Sequence, residues 1–229
     1  MSNSSRIVAI VQARLGSSRL PMKSLLCLRD MPVIDWITHR LAQAKRLHDI
    51  VVAVPDTPLD LVLLEHLRRH DVHCMAGPEH DVLARFCQAA RMSNADLVVR
   101  VCADNPLIWG EAVDRLVDFY AGGHWDYAYN HIPRNNLWPD GLGAEILSRE
   151  LLETLDAQAA EPAQREHCLN YIWDNAPRFS IGTFDPQESW LQRPTLKLDI
   201  DRPDDFCRLA LAPIHPDMDA RAIVDAFQN

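Results

Sequence analysis

Short apolar runs alternate with amphipathic segments through the first hundred residues of this chain. The runs are rich in Val and Ile and almost uniformly apolar, and they cover Ile7–Val11, Ile50–Val54, Val72–Met75 and Leu97–Val101. Strands buried on both faces of a parallel sheet have this character. In the intervening segments apolar residues recur every three or four positions, which predicts helices over Pro32–Leu47, Pro58–His70 and Glu79–Met92. The alternation predicts an α/β fold with a doubly wound, mostly parallel sheet.

The pattern changes after residue 121, where Gly122-Gly123 opens a stretch of aromatic and turn-forming residues. Further on, the sequence predicts strands over Ala144–Leu147 and Phe179–Phe184 and helices over Arg149–Ala157 and Ala163–Asn175. The main alternation returns with a predicted strand, Thr195–Ile200, and with helices from Pro203 and from Met218. We interpret the 229 residues as one domain in which residues 122–190 form an excursion from the main sheet. This excursion would cover a substrate or form a subunit contact.

The charge of the chain limits the partners it can have. Its 23 Lys and Arg residues and 32 Asp and Glu residues give a net charge of −9. A general nucleic-acid or membrane-surface binder needs clustered positive charge, so the sequence predicts neither partner. The first fifty residues differ, because eight cationic side chains against three Asp give them a net charge of +5. A basic segment on an acidic body favours a local pocket for a small anion.

The cysteines and the hydropathy predict the compartment. The six cysteines include no C-x-x-C pair, which argues against a zinc ribbon or a disulfide framework and is typical of reduced thiols in the cytosol. The apolar run Ile7–Val11 is too short for the core of a signal peptide. No window approaches the roughly 18 apolar residues of a membrane span. We therefore expect a cytoplasmic protein.

The first candidate site is the loop from Gln12 to Lys23, directly after the first predicted strand. Open α/β sheets bind ligands at the carboxyl ends of their strands. The groups in this loop that suit a polyphosphate are two guanidinium groups, an ammonium, two hydroxyls and a glycine-relieved backbone, from Arg14, Arg19, Lys23, Ser17, Ser18 and Gly16. The loop is not a Walker loop, because the required glycines would fall at Ser17 and Met22. The alternative is a solvated basic loop.

Two groups of carboxylates form the second candidate site. Asp104 follows the fourth predicted strand, and Asp199 and Asp201 lie on one face of the last predicted strand. Neighbouring like charges are unfavourable unless they share a cation or one of them faces water. Hard oxygen ligands of this kind select Mg²⁺. The alternatives are that Asp104 caps a turn and that Asp201 caps the helix that Pro203 begins.

A third group of polar residues lies in the predicted excursion. It comprises Pro133-Arg134, the segment Pro139–Glu145, and Gln164–Cys168 on a predicted helix. These residues either line the acceptor side of a pocket or form a solvated face. Five further histidines are interpreted as structural because they lack metal-ligand spacing: His39, His48, His66, His70 and His73.

At these same places the chain resembles the bacterial cytidylyltransferases of the spore-coat polysaccharide biosynthesis protein F type, relatives of the acylneuraminate and Kdo cytidylyltransferases. The matching segments follow the family's order and cover nearly the whole chain: Gln12–Lys23, Asp81–Arg85, Val99–Ile108, Pro139–Glu145, Arg165–His167 and Asp201–Phe206. The resemblance implies the fold of the nucleotide-diphospho-sugar transferases, which is GT-A-like. Two positions depart from the family's pattern, since Met22 stands where the family has Gly and Gly143 where it has Asp.

The resemblance also implies an activity. It is the Mg²⁺-dependent transfer of CMP from CTP to a sugar acid or related acidic acceptor, with release of pyrophosphate, by a homodimer. The nucleotide would bind to residues 1–121 and 191–229, and residues 122–190 would serve the acceptor and the dimer contact. Gly143 would leave room for the acceptor, and Gly143→Asp would change acceptor choice or rate.

The resemblance assigns the site residues as follows. Catalysis falls to Lys23, Arg14 and Asp104. The nucleotide is held by Gln12, Ala13, Arg14, Gly16, Ser17, Ser18, Arg19, Lys23, Asp81, Arg85, Ala103 and Asp104. The acceptor is held by Arg134, Asp140, Glu145, Arg165 and His167. The metal is held by Asp104, Asp201 and Asp199.

Three alternatives stay open at this point. The acceptor could be a phosphonate or a phosphorylated small molecule. The chain could be a GT-A glycosyltransferase, although such an enzyme would carry its D-x-D metal pair in the middle of the chain and Asp199-Ile200-Asp201 lies near the end. It could also be a non-catalytic nucleotide-binding paralogue, which Met22 and Gly143 would favour.

Overall fold

The computed structural model describes residues 5–227. Its strands are β1 (Ile7–Gln12), β2 (Cys27–Leu28), β3 (Met31–Pro32), β4 (Asp49–Pro55), β5 (Cys74–Gly77), β6 (Leu97–Cys102), β7 (Tyr127–Tyr129), β8 (Glu145–Ser148) and β9 (Ile181–Gly182). Its α-helices are α1 (Val33–Leu41), α2 (Leu61–Arg69), α3 (Val82–Met92), α4 (Gly110–Gly122), α5 (Arg149–Gln158), α6 (Pro162–Glu166), α7 (Asn170–Asp174), α8 (Pro203–Leu211) and α9 (Ala220–Ala226).

Seven strands form one sheet in the order β5-β4-β1-β6-β8-β7-β9, and β2 and β3 form a separate hairpin. Strands β5, β4, β1 and β6 are parallel, as the sequence predicts. Strand β8 is antiparallel to β6 and to β7, and β9 is parallel to β7. Gln12 at the end of β1 is in register with Ala53 and with Cys102. The carboxyl ends of the parallel strands therefore meet at one edge.

The core lies on both faces of the sheet. Ala9 and Val11 of β1 pack on one face with the buried sides of α1, α2 and α4. Val8 and Ile10 pack on the other face with α3 and α5. All four side chains are fully buried. This two-sided burial is why β1 is uniformly apolar, and it confirms the predicted doubly wound, mostly parallel α/β fold.

The interpretation of residues 122–190 as an excursion from the sheet is wrong in one respect. This segment supplies β7, β8 and β9, so it extends the main sheet beyond β6. The reason is pairing, since β8 satisfies the backbone groups along the second edge of β6 over four residue pairs. A role of the segment at the acceptor or in a dimer stays a prediction.

Two predicted elements differ in detail. The helix predicted over Ala163–Asn175 is divided into α6 and α7, because His167 leaves helical geometry and the following Cys168 and Leu169 turn into the core. The strand predicted over Thr195–Ile200 is an extended segment with a single parallel bridge, between Lys197 and Asp140. No ladder continues there because its partner turns sharply at Gly141, which has a φ of +95°.

Two further observations concern the predicted compartment. All six cysteines are free in the structure. Within residues 5–227, no helix combines the length and the apolar character that crossing a bilayer requires.

Candidate active site

Four segments of the chain meet at the carboxyl edge of the sheet. The loop after β1 and the turn after β6 are joined by a hydrogen bond from the Ala103 N–H to the Gln12 carbonyl (3.0 Å). The Ile200 N–H donates to the Asp104 carbonyl (2.7 Å), and Lys197 bridges to Asp140. The cavity between the two loops has a volume of about 120 Å³ and is lined by Gln12, Arg14, Ser17, Arg19, Lys23, Ser24, Cys102, Ala103 and Asp104. The structure thus brings the predicted phosphate loop and Asp104 together.

The loop is shaped by a buried carboxylate. The Leu15 N–H donates to Asp60 Oδ1 (2.7 Å), and the Met22 N–H closes the loop on the Leu15 carbonyl (3.0 Å). Asp60 is buried and was not identified from the sequence, where nothing distinguishes it from an ordinary helix-capping Asp. Met22 has a φ of +60°, a conformation that glycine adopts without steric cost. Methionine at this position holds a strained backbone directly before Lys23.

Two cations of the loop, Lys23 and Arg19, contact the carboxylates of Asp104 and Asp201. Lys23 Nζ donates to the Ile200 carbonyl (2.7 Å) and lies 3.6 Å from Asp104 Oδ2. Arg19 makes a two-point ion pair with Asp201, with both N–O distances 3.1 Å. Arg14 is exposed, with Glu166 of α6 at 3.7 Å. A Cβ added to Gly16 would meet no protein atom, so the backbone there is open to a ligand. Ser18 is likewise exposed.

Another cationic side chain lies below this loop, in the first turn of α3. Arg85 is fully buried, its Nη1 donates to the carbonyls of Pro78 and Glu79, and its Nε and Nη2 have no hydrogen-bond partner among the described residues. Burial lowers the pKa of Arg85, and the positive charge of Arg14 lowers it further. A buried cation with free donors is what an anionic ligand would stabilise.

Arg165 lies with these residues rather than with the other acceptor candidates. Its Nε donates to Asp81 Oδ2 (2.7 Å) and its Nη2 to Asp156 Oδ1 (2.6 Å). Asp81 also caps α3 by accepting from the Ala84 N–H (2.9 Å). Arg165 therefore positions Asp81, a residue predicted to serve the nucleotide. In the sequence analysis Arg165 was assigned to the acceptor-binding residues. Spacing along the chain does not show that α6 lies against the start of α3.

Four carboxylates, Asp104, Asp140, Asp199 and Asp201, gather beside the loop. Burial raises the pKa of Asp140 to about 7, and the negative charges of Asp199 and Asp104 add to the rise. Burial also raises the pKa of Asp199, against the opposing charge of Lys197. Lys197 Nζ lies 3.4 Å from Asp199 and 3.9 Å from Asp201, so both Asp side chains lie on one side of the segment, as predicted. The helix-cap alternative for Asp201 fails, because the N-cap residue of α8 is Arg202, whose N–H donates to Asp205 Oδ2 (2.9 Å).

The donor set of this cluster fits a hard divalent cation. Asp199 Oδ1 is buried and has no hydrogen-bond partner in the described part of the chain, and Lys197 is shared among Asp199, Asp201 and Asp205. Carboxylate oxygens on adjacent segments are the ligands that Mg²⁺ takes from proteins. Gly141 makes the cluster possible, because a Cβ there would lie 2.9 Å from the Asp199 backbone nitrogen.

The pKa of Asp140 predicts a pH dependence of stability. Between its ordinary pKa of 3.8 and about 7, the folded state holds a proton that the unfolded state releases. The free energy of unfolding therefore falls as the pH rises through this window, and Asp140→Asn removes that fall. We expect Asp140→Asn to raise the melting temperature in EDTA more at pH 8 than at pH 5. The exposed Asp204→Asn variant should shift equally at both pH values, and equal shifts for Asp140→Asn would contradict the assigned cause.

The remaining acceptor candidates do not converge on one pocket. The Arg134 guanidinium stacks 3.9 Å from the Trp173 ring centroid. Glu145 is buried, paired with Arg100 and Tyr127. Burial alone would raise the pKa of Glu145, but Arg100 and His131 outweigh it and hold that pKa below its ordinary value. Exposed His167 lies at the break before α7, so only Asp140 of the five candidates joins the carboxylate cluster.

Gly143 does not leave room for an acceptor, contrary to the expectation from the sequence. A Cβ at this position would lie 2.6 Å from the Asn130 carbonyl carbon and closer still to two Asn130 oxygens. Asn130 is fully buried and fixed, with its Nδ2 donating to the Ala112 carbonyl and its Oδ1 accepting from the Ala144 N–H. Asn130 therefore fixes the backbone next to Gly143 against the core, and position 143 accepts no side chain.

We therefore expect Gly143→Asp to destabilise the fold instead of changing acceptor choice. Overpacking against fixed backbone and burying a carboxylate should together cost about 3 kcal/mol or more. Gly143→Ala should cost part of this, and Gly122→Ala should cost little because a Cβ there meets nothing within 4 Å. Urea denaturation of the three variants measures these costs. A Gly143→Asp protein as stable as Gly122→Ala would show that Asn130 can move aside.

Comparison with known proteins identifies the family. A family model described as cytidylyltransferase matches residues 8–211. The chain belongs to the cytidylyltransferase family. It is 34% identical over 223 residues to the uncharacterized protein MJ1063 of Methanocaldococcus jannaschii, covering 96% of this chain and 89% of that one. It is 28% identical over 207 residues to the spore coat polysaccharide biosynthesis protein SpsF of Bacillus subtilis, covering 87% and 83%.

Solved structures of cytidylyltransferases share the fold. A cytidylyltransferase from Leptospira borgpetersenii superposes with a TM-score of 0.86 at 26% identity, over 96% of this chain and 92% of that chain. A CMP:2-keto-3-deoxy-manno-octonic acid synthetase complexed with CTP superposes with a TM-score of 0.68 at 18% identity, over 90% and 97%, a likeness of fold. The resemblance stated from the motifs is confirmed, and the protein is a CTP-dependent nucleotidyltransferase.

Proposed function

We propose that this cytidylyltransferase transfers CMP from CTP to a sugar acid or related acidic acceptor and releases pyrophosphate, with Mg²⁺ as its metal. The observation that carries the proposal is the meeting of the Arg14–Lys23 loop with the carboxylates of Asp104 and Asp201 at one edge of the sheet. A cationic loop beside a carboxylate cluster suits a triphosphate and the cation that accompanies it. The name of the octonic acid synthetase supports an acidic sugar as acceptor, and the name of the spore-coat relative supports a role in polysaccharide biosynthesis.

In this proposal the triphosphate lies against the loop. Arg14, Arg19 and Lys23 supply charge, Ser17 and Ser18 supply hydroxyls, and the open backbone at Gly16 allows close approach. Arg85 adds a buried positive charge beneath Arg14. The base and ribose would contact the remaining nucleotide candidates Gln12, Asp81 and Ala103. The ion pairs of Arg19 and Lys23 are shared between the carboxylates and the phosphates, so these two side chains adjust when CTP binds.

Asp104 and Asp201 would hold the metal, with Asp199 beside them as a third oxygen donor. Bound there, Mg²⁺ would neutralise phosphate charge as it develops and would orient the leaving pyrophosphate. The side chains of this protein do the rest by positioning. Lys23 is held by the Ile200 carbonyl, which fixes its ammonium next to Asp104.

The reaction itself requires little from the protein beyond geometry and charge. An oxygen of the acceptor attacks the α-phosphorus of CTP, a new P–O bond forms, and the bond to the pyrophosphate oxygen breaks in line with it. Lys23 and Arg14 stabilise negative charge on the transferring and leaving groups. Lys197 lies beside Asp199, and burial raises the pKa of Asp140 to about 7, so an acidic acceptor would enter next to these two residues.

A substrate screen tests the proposal. Purified protein with Mg²⁺ is assayed for pyrophosphate release from CTP, UTP, GTP and ATP, each with acidic sugars, neutral sugars, phosphonates and phosphorylated polyols. We expect release with CTP and an acidic sugar and none without an acceptor. Release only with a phosphonate or a phosphorylated acceptor would favour the second class of acceptor. A non-catalytic paralogue would bind CTP without releasing pyrophosphate, and a glycosyltransferase would consume a nucleotide sugar instead.

The homodimer and the cytoplasmic location also stay proposals. Residues 122–190 carry the β7–β9 edge of the sheet, where a second copy could pack. Sedimentation velocity with and without CTP decides between a monomer and a dimer.

A further inference from the structure

A second groove lies at the opposite edge of the sheet from the carboxylate cluster. Its volume is about 740 Å³. Asp49 and Ile50 at the start of β4 line it, and so do Val72 and His73 just before β5. These residues belong to the amino ends of the parallel strands, whereas the candidate active site lies at their carboxyl ends. The groove is therefore separate from the proposed nucleotide site.

Three metal-ligating side chains meet beside this groove, and two of them, Asp35 and His70, line it. His66 and His70 are four residues apart at the end of α2, and their rings lie 4.5 Å apart between centroids. Asp35 in the first turn of α1 faces them, with its two oxygens 2.9 and 3.0 Å from His66 Nε2. One ligand atom from each of the three residues lies within 4.8 Å of the other two. Asp35 and His66 are half-buried and His70 is exposed.

We propose that Asp35, His66 and His70 bind Zn²⁺ at the junction of α1 and α2. Two imidazoles and one carboxylate are ligands that zinc prefers, and three protein ligands leave a fourth position for water. Tetrahedral bonds of the usual length would separate a nitrogen and an oxygen ligand by roughly 3.4 Å, so Asp35 and His66 need to part by only a few tenths of an ångström. Exposed His70 can turn its ring to complete the set.

The surroundings favour a cation. Asp30, Asp35, Asp49 and Asp71 line the groove, and none of the described lining residues is Lys or Arg. The other histidines nearby have partners of their own, since His39 contacts Asp217 and His73 contacts Asp49. The nitrogen ligands also make this site chemically different from the candidate active site. Imidazole suits zinc, whereas a purely carboxylate cluster suits Mg²⁺.

The sequence interpretation of these histidines as lacking ligand spacing overlooked the pair on α2. A separation of four residues places two side chains on one face of a helix, which is the spacing of helical zinc ligands. The third ligand was invisible in the sequence, because Asp35 lies 31 residues before His66 and only the packing of α1 beside α2 brings it near.

Zinc binding to purified protein tests the proposal. Exposed Cys27 and Cys207 are replaced by Ser in every variant to remove competing thiols, and excess Mg²⁺ is present to occupy the carboxylate cluster. Zinc is titrated in competition with a chromophoric chelator. We expect one zinc per chain, with affinity about tenfold or more weaker in His70→Ala, because a ligand is lost. The matched control is His73→Ala, an exposed histidine of the same groove, which should bind like the parent.

A second measurement separates coordination from unspecific binding. Zinc should raise the melting temperature of the parent and of His73→Ala, because the ion links α1 to α2 and binds only the folded state. It should raise the melting temperature of His70→Ala and Asp35→Asn much less. His70 is exposed, so His70→Ala is expected to fold even if Asp35→Asn does not. Equal zinc affinity in the parent and His70→Ala, or loss of binding in His73→Ala alone, would overturn the proposal. Neither measurement involves CTP, so the result is independent of the proposed reaction.

Discussion

Asp104→Asn is expected to lower the rate of pyrophosphate release from CTP by roughly 10²- to 10³-fold, the loss that follows removal of one electrostatic stabiliser of a transition state. The Ile200 N–H donates to the backbone carbonyl of Asp104 and holds this residue in place. The Asp104 carboxylate faces Lys23. Asparagine keeps the shape and removes the charge, so the backbone contacts survive. Steady-state kinetics with varied Mg²⁺ should show a lower kcat and a higher Mg²⁺ concentration at half-maximal rate.

Asp201→Asn should produce a loss of similar size, and the double variant should lose little more than either single one. The two carboxylates would hold one ion, and groups that act as a unit do not contribute additively. Asp204→Asn, an exposed carboxylate in the first turn of α8, should keep full activity. A double variant that loses the sum of the two activation energies would exclude a shared ion.

Lys23→Ala is expected to raise the dissociation constant for CTP at least about tenfold, because truncating one partner of a buried charge pair costs about 2–4 kcal/mol. The Lys23 side chain is 13% exposed and donates to the Ile200 carbonyl, so its ammonium is desolvated before any phosphate arrives. Calorimetric titration of CTP measures the change. The exposed Lys45→Ala variant removes the same charge elsewhere and should bind CTP normally.

The Lys23→Ala protein should stay folded, since its neighbours in β1 and α1 do not depend on the ammonium. A melting temperature within a few degrees of the parent, with CTP affinity reduced, supports the loop as the triphosphate site. Unchanged CTP affinity in a folded Lys23→Ala protein would reject that assignment and would move the nucleotide away from the Arg14–Lys23 loop.

The parallel half of the sheet could be predicted from the sequence because its signal is local. Each of β1, β4 and β6 is an apolar run whose composition alone indicates two-sided burial. The edge strand β5 begins two residues after the start of the predicted Val72–Met75 and is buried on alternate residues. Strands β7 and β9 have only three and two residues, and they are strands because they pair with neighbouring strands. The predicted strands Ala144–Leu147 and Phe179–Phe184 overlap β8 and β9, but no local signal shows that these strands join the main sheet. Residues 122–190 were therefore interpreted as leaving it.

The candidate site divides in the same way. The Gln12–Lys23 loop and Asp104 follow predicted strands, so their meeting at one edge could be foreseen. Asp60 reaches the loop from the start of α2, and no local pattern marks it. The assignment of Gly143 failed for a related reason. A missing side chain indicates open space or a close approach equally well, and only the position of Asn130 decides between them.

The bond between Lys23 and the Ile200 carbonyl joins residues that are 177 positions apart. During synthesis the amino-terminal part of a chain emerges and folds first. A nascent chain that has passed Gly122 already contains β1, β4, β5 and β6 with α1 to α4, yet it lacks α5, Asp199, Asp201 and the carbonyl that anchors Lys23. Such a chain has Asp104 to face Lys23, but it lacks Asp201, the partner of Arg19. In the proposed function, the triphosphate site would therefore be complete only after the segment that contains Asp199, Ile200 and Asp201 has docked.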